Sequence, residues 1–387
     1  MRVHTMEKNN IYSVNSLLQW GVFLCVNILF VCKYIPRAGY NPFVSSILYG
    51  ITVIGVIMLY KHLITPRLNE RKACYISITI LTGIVTCIAL AILLIDPLTI
   101  RVDRWSATSY FLDALFQGIY PYSVHTHVCD TNYPSPFPLW HYLNIPFWLL
   151  GDVGWIQVFS LLLFIFAIWY YYRSWHIILN VLLLFCLSPA YWWEIATRSD
   201  GVSNILFTLS CIMFIQRKPI EMSHQWWLLA IIAGCIASTR LSSVIPLALY
   251  LFRPWFDVDW KRKTGFICIA LAIVLFFFAP YILWDTTNWV FFERNPFITQ
   301  SRQGNSWILL CMVIVAICIA YKKQTLYYYM STTSVFMFAF MFFSQLTGLV
   351  LSEAPFSFID DRCDISYFTL SLPFAILSLS YPKRTTP

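Results

Sequence analysis

Long apolar runs separated by short polar breaks fill most of the chain. A helix that crosses a bilayer needs about 20 apolar residues, with roughly 17 to 25 usual. By that ruler about twelve runs qualify: 14–32, 43–60, 74–95, 154–172, 176–193, 200–216, 226–239, 241–252, 265–284, 307–321, 326–350 and 365–381. The run from 226 to 252 is divided at Thr239-Arg240, because an arginine at the centre of one spanning helix is costly. The pattern predicts an all-α, polytopic transmembrane protein.

One interval departs from this rhythm. Between 96 and 153 no run is long enough to span, although Trp105, Thr108, Leu112 and Leu115 recur at helical spacing. That spacing predicts an amphipathic helix over 104–117 lying along the membrane surface and stopped by Gly118. Three prolines in Tyr133-Pro-Ser-Pro-Phe-Pro138 exclude helix there, since each removes a donor and restricts the residue before it. The stretch 139–150 is apolar but short, and reads as a second surface helix or a re-entrant one.

Composition agrees with the pattern. A chain of 387 residues with 59% apolar and 11% charged side chains cannot hide its hydrophobic surface in one soluble core. No clear small-residue cleavage site accompanies the first run, so it is kept as a spanning helix. Most of the 12 cysteines fall in apolar runs and behave as small hydrophobes. Cys129 and Cys363 lie in polar segments, and two such residues do not establish a bridge.

The formal charge of +8 matters through its distribution. With both termini inside, the inner segments hold most of the lysines and arginines, as the positive-inside rule requires. The remaining segments, 33–42, 96–153, 194–200, Arg240, 285–306 and 351–364, would face outward and carry most of the acids.

Several clusters on that outer face are candidates for chemistry. Asp103, between Arg101 and Arg104, reads either as a general base beside cations or as an interfacial anchor. Glu194, Arg198 and Asp200 form a site or simply a pair and a helix cap. Arg240, among Ser238, Thr239, Ser242 and Ser243, snorkels or clamps a phosphate. The loop with Glu293, Arg294, Asn295, Gln300, Arg302 and Gln303 grips an anion or a sugar, or is merely solvated. His125, His127, Cys129 and Asp130 resemble a set of metal ligands but match no strong zinc pattern, so a divalent metal is not favoured, and no cofactor is expected. Asp360, Asp361 and Asp364 hold a cation or, as favoured here, cap the last helix. No Walker loop, dinucleotide fingerprint or serine elbow is present, which argues against a nucleotide-driven pump. Basic residues without a folded cytosolic domain do not support a nucleic-acid partner.

The order of these motifs resembles the GT-C superfamily of integral membrane glycosyltransferases, in particular its polyprenyl-phosphate-mannose-dependent branch. The matching residues are Asp103 in RVDRW, the turn from Gly118 to Tyr122, the segment from Tyr133 to Pro136, Asp200 in RSDG, and Arg240 at the tip of a later hairpin. The resemblance spans roughly 74–306, makes 61–387 the transmembrane catalytic unit and 1–60 an added N-terminal helical pair, and lacks the soluble outer domain that many relatives carry. It implies a multi-pass protein of a bacterial-type inner (plasma) membrane, a lipid-linked sugar donor among the membrane lipids, and a glycan, lipid or protein acceptor. Carried over, it makes Asp103 the base or acceptor-binding carboxylate and Asp200 a second acidic residue. Arg240, with Arg198 and Arg302, would bind phosphate. Arg101, Arg104, Glu194, Gln300, Tyr122 and Tyr133 would contact substrate. Two rivals remain: a transporter or flippase of lipid-linked glycans, and a glycan polymerase or ligase.

Overall fold

The computed structural model describes residues 2–381 apart from 219, 302–305, 323–324, 352–357 and 360–362. Among the described residues every regular element is helical. The first three helices are α1 (Arg2–Tyr34), α2 (Pro42–Leu59, running on through a π turn) and α3 (Glu70–Leu94). Two short helices follow, α4 (Arg104–Phe116) and α5 (Pro138–Leu149). Then come α6 (Trp155–Tyr172), α7 (Trp175–Cys186), α8 (Pro189–Ala196), α9 (Gly201–Arg217), α10 (Trp226–Ala237), α11 (Leu241–Phe256) and α12 (Trp260–Ile282). The last group is α13 (Val290–Glu293), α14 (Pro296–Ser301), α15 (Ser306–Ala320), α16 (Leu326–Leu351) and α17 (Leu372–Ser380), the last preceded by a 3-10 stretch over Ile365–Ser371.

The expected count of about twelve spans is not reached by the long helices. Among the described residues six are long and apolar enough to cross a membrane: Val14–Ala38, Pro42–Arg67, Glu70–Leu94, Trp155–Tyr172, Trp260–Ile282 and Leu326–Gly348. The run 176–193 is not one straight helix. It bends by 72° between α7 and α8, where Pro189 cannot continue the α7 hydrogen bonding and Ser188 caps the new helix by accepting from Tyr191 N at 3.2 Å. Asn27 of α1 holds the same break, its Oδ1 accepting from Ser188 Oγ at 2.6 Å and Ala190 N at 3.1 Å. The other runs form shorter apolar helices, including α9, α10, α11 and the pair 365–380. The division at Arg240 is present, between α10 and α11.

The main core joins α1, α3, α6 to α9, α16 and α17. Helix α1 is stitched into it by Gln19, whose amide donates to Ser331 O and Oγ of α16, both at 3.0 Å. Large apolar side chains of α2 and α12 point outward, among them Phe43, Ile47, Ile51, Leu271 and Phe276. Hydrocarbon accommodates such faces and water does not.

The interval 96–153 packs as a layer against α12. Phe111 and Leu112 of α4, Tyr120, Tyr122 and Phe137 share one cluster with Phe278 and Tyr281. Helix α4 is therefore not laid on a membrane as a lone amphipathic element. Ser106, Thr108 and Ser109 are buried along with Phe111 and Leu112, because protein closes over its polar side as well. Helix α5 stays too short to cross, at 12 residues. The proline-rich segment before it is extended and pairs with the α10–α11 break, Phe137 N donating to Thr239 O at 2.9 Å and Leu139 N to Ser238 O at 3.1 Å.

Candidate functional site

That backbone pairing sets the geometry of Arg240. The residue has an extended backbone just before α11, so its side chain leaves the hairpin tip instead of running along the helix. It is 5% exposed and forms an ion pair with Asp200, itself 5% exposed at the start of α9. A second bond, at 3.4 Å, reaches Ser135 Oγ in the proline-rich segment. Gln300 of α14 fastens the same corner: its amide donates to Ser135 O, and its Oε1 accepts from Leu241 N at 2.9 Å. Leu241 N is one of the orphan donors at a helix start, and Gln300 satisfies it from another element.

A second arginine comes from α4. Arg104 donates to Asp364 Oδ2 at 2.8 Å and Ser366 Oγ at 3.2 Å, and lies 5.3 Å from the Tyr367 ring centroid. Asp364 caps the 3-10 stretch, accepting from Ser366 N at 2.9 Å and Ser366 Oγ at 2.6 Å. The favoured capping role of Asp364 is present, together with an ion pair that sequence did not reveal.

Glu194 of α8 supplies a buried carboxylate, 2% exposed. It accepts from Val202 N at 3.2 Å and Thr369 Oγ1 at 3.3 Å. Among the described residues it has no salt-bridge partner within 4.0 Å.

These groups meet in a cavity of ≈ 790 Å³. Its polar end is formed by Arg104, Glu194, Ser199, Arg240, Gln300, Gln345, Ser366 and Tyr367. Its long wall is apolar, with Ile245, Leu249 and Phe252 of α11, Met312, Val313 and Ala316 of α15, and Phe336 and Phe340 of α16. The cavity thus offers two guanidinium groups and a carboxylate at one end and a hydrocarbon-like trough at the other. No known protein family, characterised protein or solved structure matches this chain. The chemistry must be read from the residues themselves.

The remaining expected residues fall in different places. Arg101 is exposed. Asp103 is half-buried, one residue before Arg104 and outside the cavity lining; its side chain caps nothing, while its backbone carbonyl accepts from Ala107 N at 2.8 Å. Arg198 does not pair with Glu194. It reaches Asp152 Oδ2 at 3.1 Å and donates to Ile92 O at 2.7 Å and Ile95 O at 2.9 Å, tying the end of α3 to the α5–α6 turn. Burial pulls the Arg198 guanidinium below its ordinary value and pushes the Asp152 carboxyl above the usual carboxylate range. Arg198 also carries a left-handed backbone, φ 49°, rare for a residue with a Cβ and sustained by these fixed contacts.

Tyr122 is buried, donates to Pro136 O at 3.1 Å, and packs edge-on against Phe111 and Tyr281. Tyr133 lies under the Arg294 guanidinium at 4.3 Å and beside His125. Arg302, Gln303, Asp360 and Asp361 lie outside the described residues. His127 bonds Ser106 Oγ through Nδ1 at 2.7 Å and Ile100 O through Nε2 at 3.0 Å, bracing the start of α4. Cys129 is an exposed thiol beside Thr131, whereas Cys363 is buried and donates to Gln345 Oε1 at 3.4 Å. Among the described residues no three His, Cys, Asp or Glu side chains gather to hold a metal ion.

Sequence reasoning passed over Gln345, Ser366 and Tyr367 in the cavity and Asn204 beside it. Gln345 and Asn204 carried a signal, an amide inside an apolar helix, which calls for a partner or a pathway.

Proposed function

We propose that this chain is an integral membrane glycosyltransferase that moves a sugar from a polyprenyl-phosphate donor to an acceptor hydroxyl at the outer face of the membrane. One observation carries the reading: a single cavity joins Arg104, Arg240 and Glu194 to an apolar trough made by α11, α15 and α16. A lipid-phosphate sugar has the matching layout, with a charged head, a hydroxyl-rich sugar and a long hydrocarbon tail. The isoprenoid occupies the trough. The phosphate lies at the guanidinium end, where planar donors offer two parallel hydrogen bonds. Gln300, Gln345 and Ser366 supply neutral donors and acceptors for sugar hydroxyls.

The acceptor oxygen attacks the anomeric carbon as the bond from that carbon to the phosphate oxygen breaks. The electron pair leaves with the lipid phosphate, whose growing charge is held by the arginines. The acceptor proton passes to Glu194, the carboxylate on the cavity wall. Asp103, half-buried beside Arg104, holds the acceptor, and Asp200 works through Arg240. No metal is required by this scheme, and membrane lipids deliver the donor.

The test is transfer by purified protein in lipid nanodiscs supplied with polyprenyl-phosphate sugars, followed by mass spectrometry of the acceptor. Glu194→Gln is expected to lower kcat by about 10²-fold or more, in line with loss of a general base. Asp103→Asn is expected to raise the acceptor KM more than it lowers kcat. Full activity of Glu194→Gln would remove the base assignment. Absence of turnover with every lipid-phosphate sugar, alongside lipid flipping in vesicles, would replace the enzyme by a transporter.

A further inference from the structure

We propose that the Arg240–Asp200 ion pair is a latch opened by a phosphate group, and that Asn204 receives the displaced carboxylate. The inference rests on the reading of the cavity as a lipid-phosphate site. Each of the two cavity arginines already faces an aspartate, Arg104 with Asp364 and Arg240 with Asp200. An arriving phosphate therefore finds no bare cation among the described lining residues and must take one aspartate's place.

The two aspartates are held unequally. Asp364 is anchored without its arginine, because Ser366 N and Ser366 Oγ both bond it. Asp200 has nothing comparable: its Oδ1 accepts from Arg240, and its Oδ2 is buried with no hydrogen-bond partner among the described residues. Arg240 is the guanidinium that gives way.

A place for the released carboxylate already exists. Asn204 lies one turn further along α9, its backbone N bonded to Asp200 O at 2.9 Å, so the two side chains are neighbours on one helix face. Asn204 uses its Oδ1 to accept from Ser243 Oγ, but its Nδ2 donor is buried and has no partner among the described residues. An unused acceptor on Asp200 thus sits one turn from an unused donor on Asn204. Buried groups left unpaired in this way are unfavourable, and rotation of Asp200 toward Asn204 satisfies both while Arg240 turns to the phosphate. Asn204 is a positioning residue, acting on the ligand only through Asp200 and Arg240.

The experiment measures binding of farnesyl phosphate, and separately of inorganic phosphate, to the full chain in detergent by calorimetry. Asp200→Ala is expected to tighten farnesyl phosphate binding about tenfold, because the competing carboxylate is gone. Should the alanine variant not fold, Asp200→Asn, which keeps the shape and removes the charge, is expected to tighten it by about threefold. Asn204→Ala is expected to weaken binding about fivefold with Asp200 present and less than about twofold with Asp200→Ala, a coupling that a purely structural asparagine lacks. A response to inorganic phosphate in the same order supports a latch worked by the phosphate alone. Silence of inorganic phosphate beside an intact farnesyl phosphate response supports a latch that needs the lipid. Equal or weaker farnesyl phosphate binding by the Asp200 variants overturns the latch and leaves the cavity reading standing. Failure of the wild-type chain to bind farnesyl phosphate overturns both.

Discussion

Helix α11 has an arginine near each end, Arg240 and Arg253, and each meets an aspartate. The pairs differ in almost everything else. Arg253 reaches Asp257 at 2.9 Å along the same helix, with side chains 27% and 43% exposed, and its guanidinium rests on Tyr321. Arg240 reaches across to Asp200 on another helix, with side chains 6% and 7% exposed. An exposed i,i+4 pair contributes little and is replaceable. A buried pair gains little over a well-packed apolar pair of the same volume, so its presence at a cavity wall calls for a use other than stability.

The sharpest way to break this comparison is to delete both arginines in turn. Arg240→Ala is expected to lower sugar transfer by about 10²- to 10³-fold, the scale seen when one preorganised donor to a developing charge is lost. It should also destabilise the fold by about 3–5 kcal/mol, since Asp200 is left buried without its cation. Thermal unfolding in detergent checks the second effect, and Arg240→Met with Asp200→Leu should restore stability without activity. Arg253→Ala is expected to change neither transfer nor unfolding measurably; a large loss there would erase the distinction between the two ends of α11.

A smaller effect is expected along the wall between them. Ala248 lines the trough on α11, and Ala248→Trp puts an indole where the isoprenoid should lie. The donor KM for a long polyprenyl chain should rise about tenfold through overpacking, and for a farnesyl chain by less, because fewer isoprene units reach the substituted wall. Equal changes for both chains would show that the trough does not hold the tail.

Near neutral pH the smallest effect concerns His141 on α5, which is fully buried and stacked on Phe111 at 3.6 Å. Burial pushes its pKa down to about 3 from an ordinary 6.5, against a hydrogen bond with the Pro136 backbone that favours the charged ring and with a smaller push from the nearby charge of Arg240. The folded chain therefore keeps the imidazole neutral where the unfolded chain takes up a proton. Stability should fall as pH drops from about 6.5 toward about 3, by at most ~1.4 kcal/mol per pH unit from this group. His141→Phe should remove that part of the slope in unfolding curves collected across the window. No such contribution is expected from the Arg253 end, where no buried histidine faces the guanidinium.

Much of the fold was legible because apolar runs and breakers are local signals. The split at Arg240, the stop at Gly118 and the non-helical 133–137 segment, with Pro138 opening α5, all follow from single residues and their backbone needs. The bend at Ser188-Pro189 was legible too, through the proline, but the apolar content of 176–193 outweighed it. The candidate site was legible only as a set of charges expected on one face. Arg104, Glu194, Arg240 and Gln300 do converge, yet nothing in RVDRW distinguishes Arg104, which enters the cavity, from Asp103, which stays outside its lining. That choice depends on which way α4 leans against Asp364, some 260 residues away. Arg198 read as a phosphate ligand for the same reason; its carbonyl and Asp152 partners belong to distant turns that no spacing rule connects.

The amides of α1 also impose an order of assembly. Gln19 and Asn27 are fully buried and find their partners on α16 and at the start of α8. A ribosome delivers α1 to the bilayer well before either partner exists. Until α8 emerges Asn27 has only its own helix to bond, through Phe23 O, and Gln19 must wait for Ser331. Hydrocarbon gives such amides no substitute. Helix α1 is therefore made first yet cannot reach its native contacts until most of the chain has been synthesised, so a chain halted before α16 should present Gln19 as a polar mark of incompleteness.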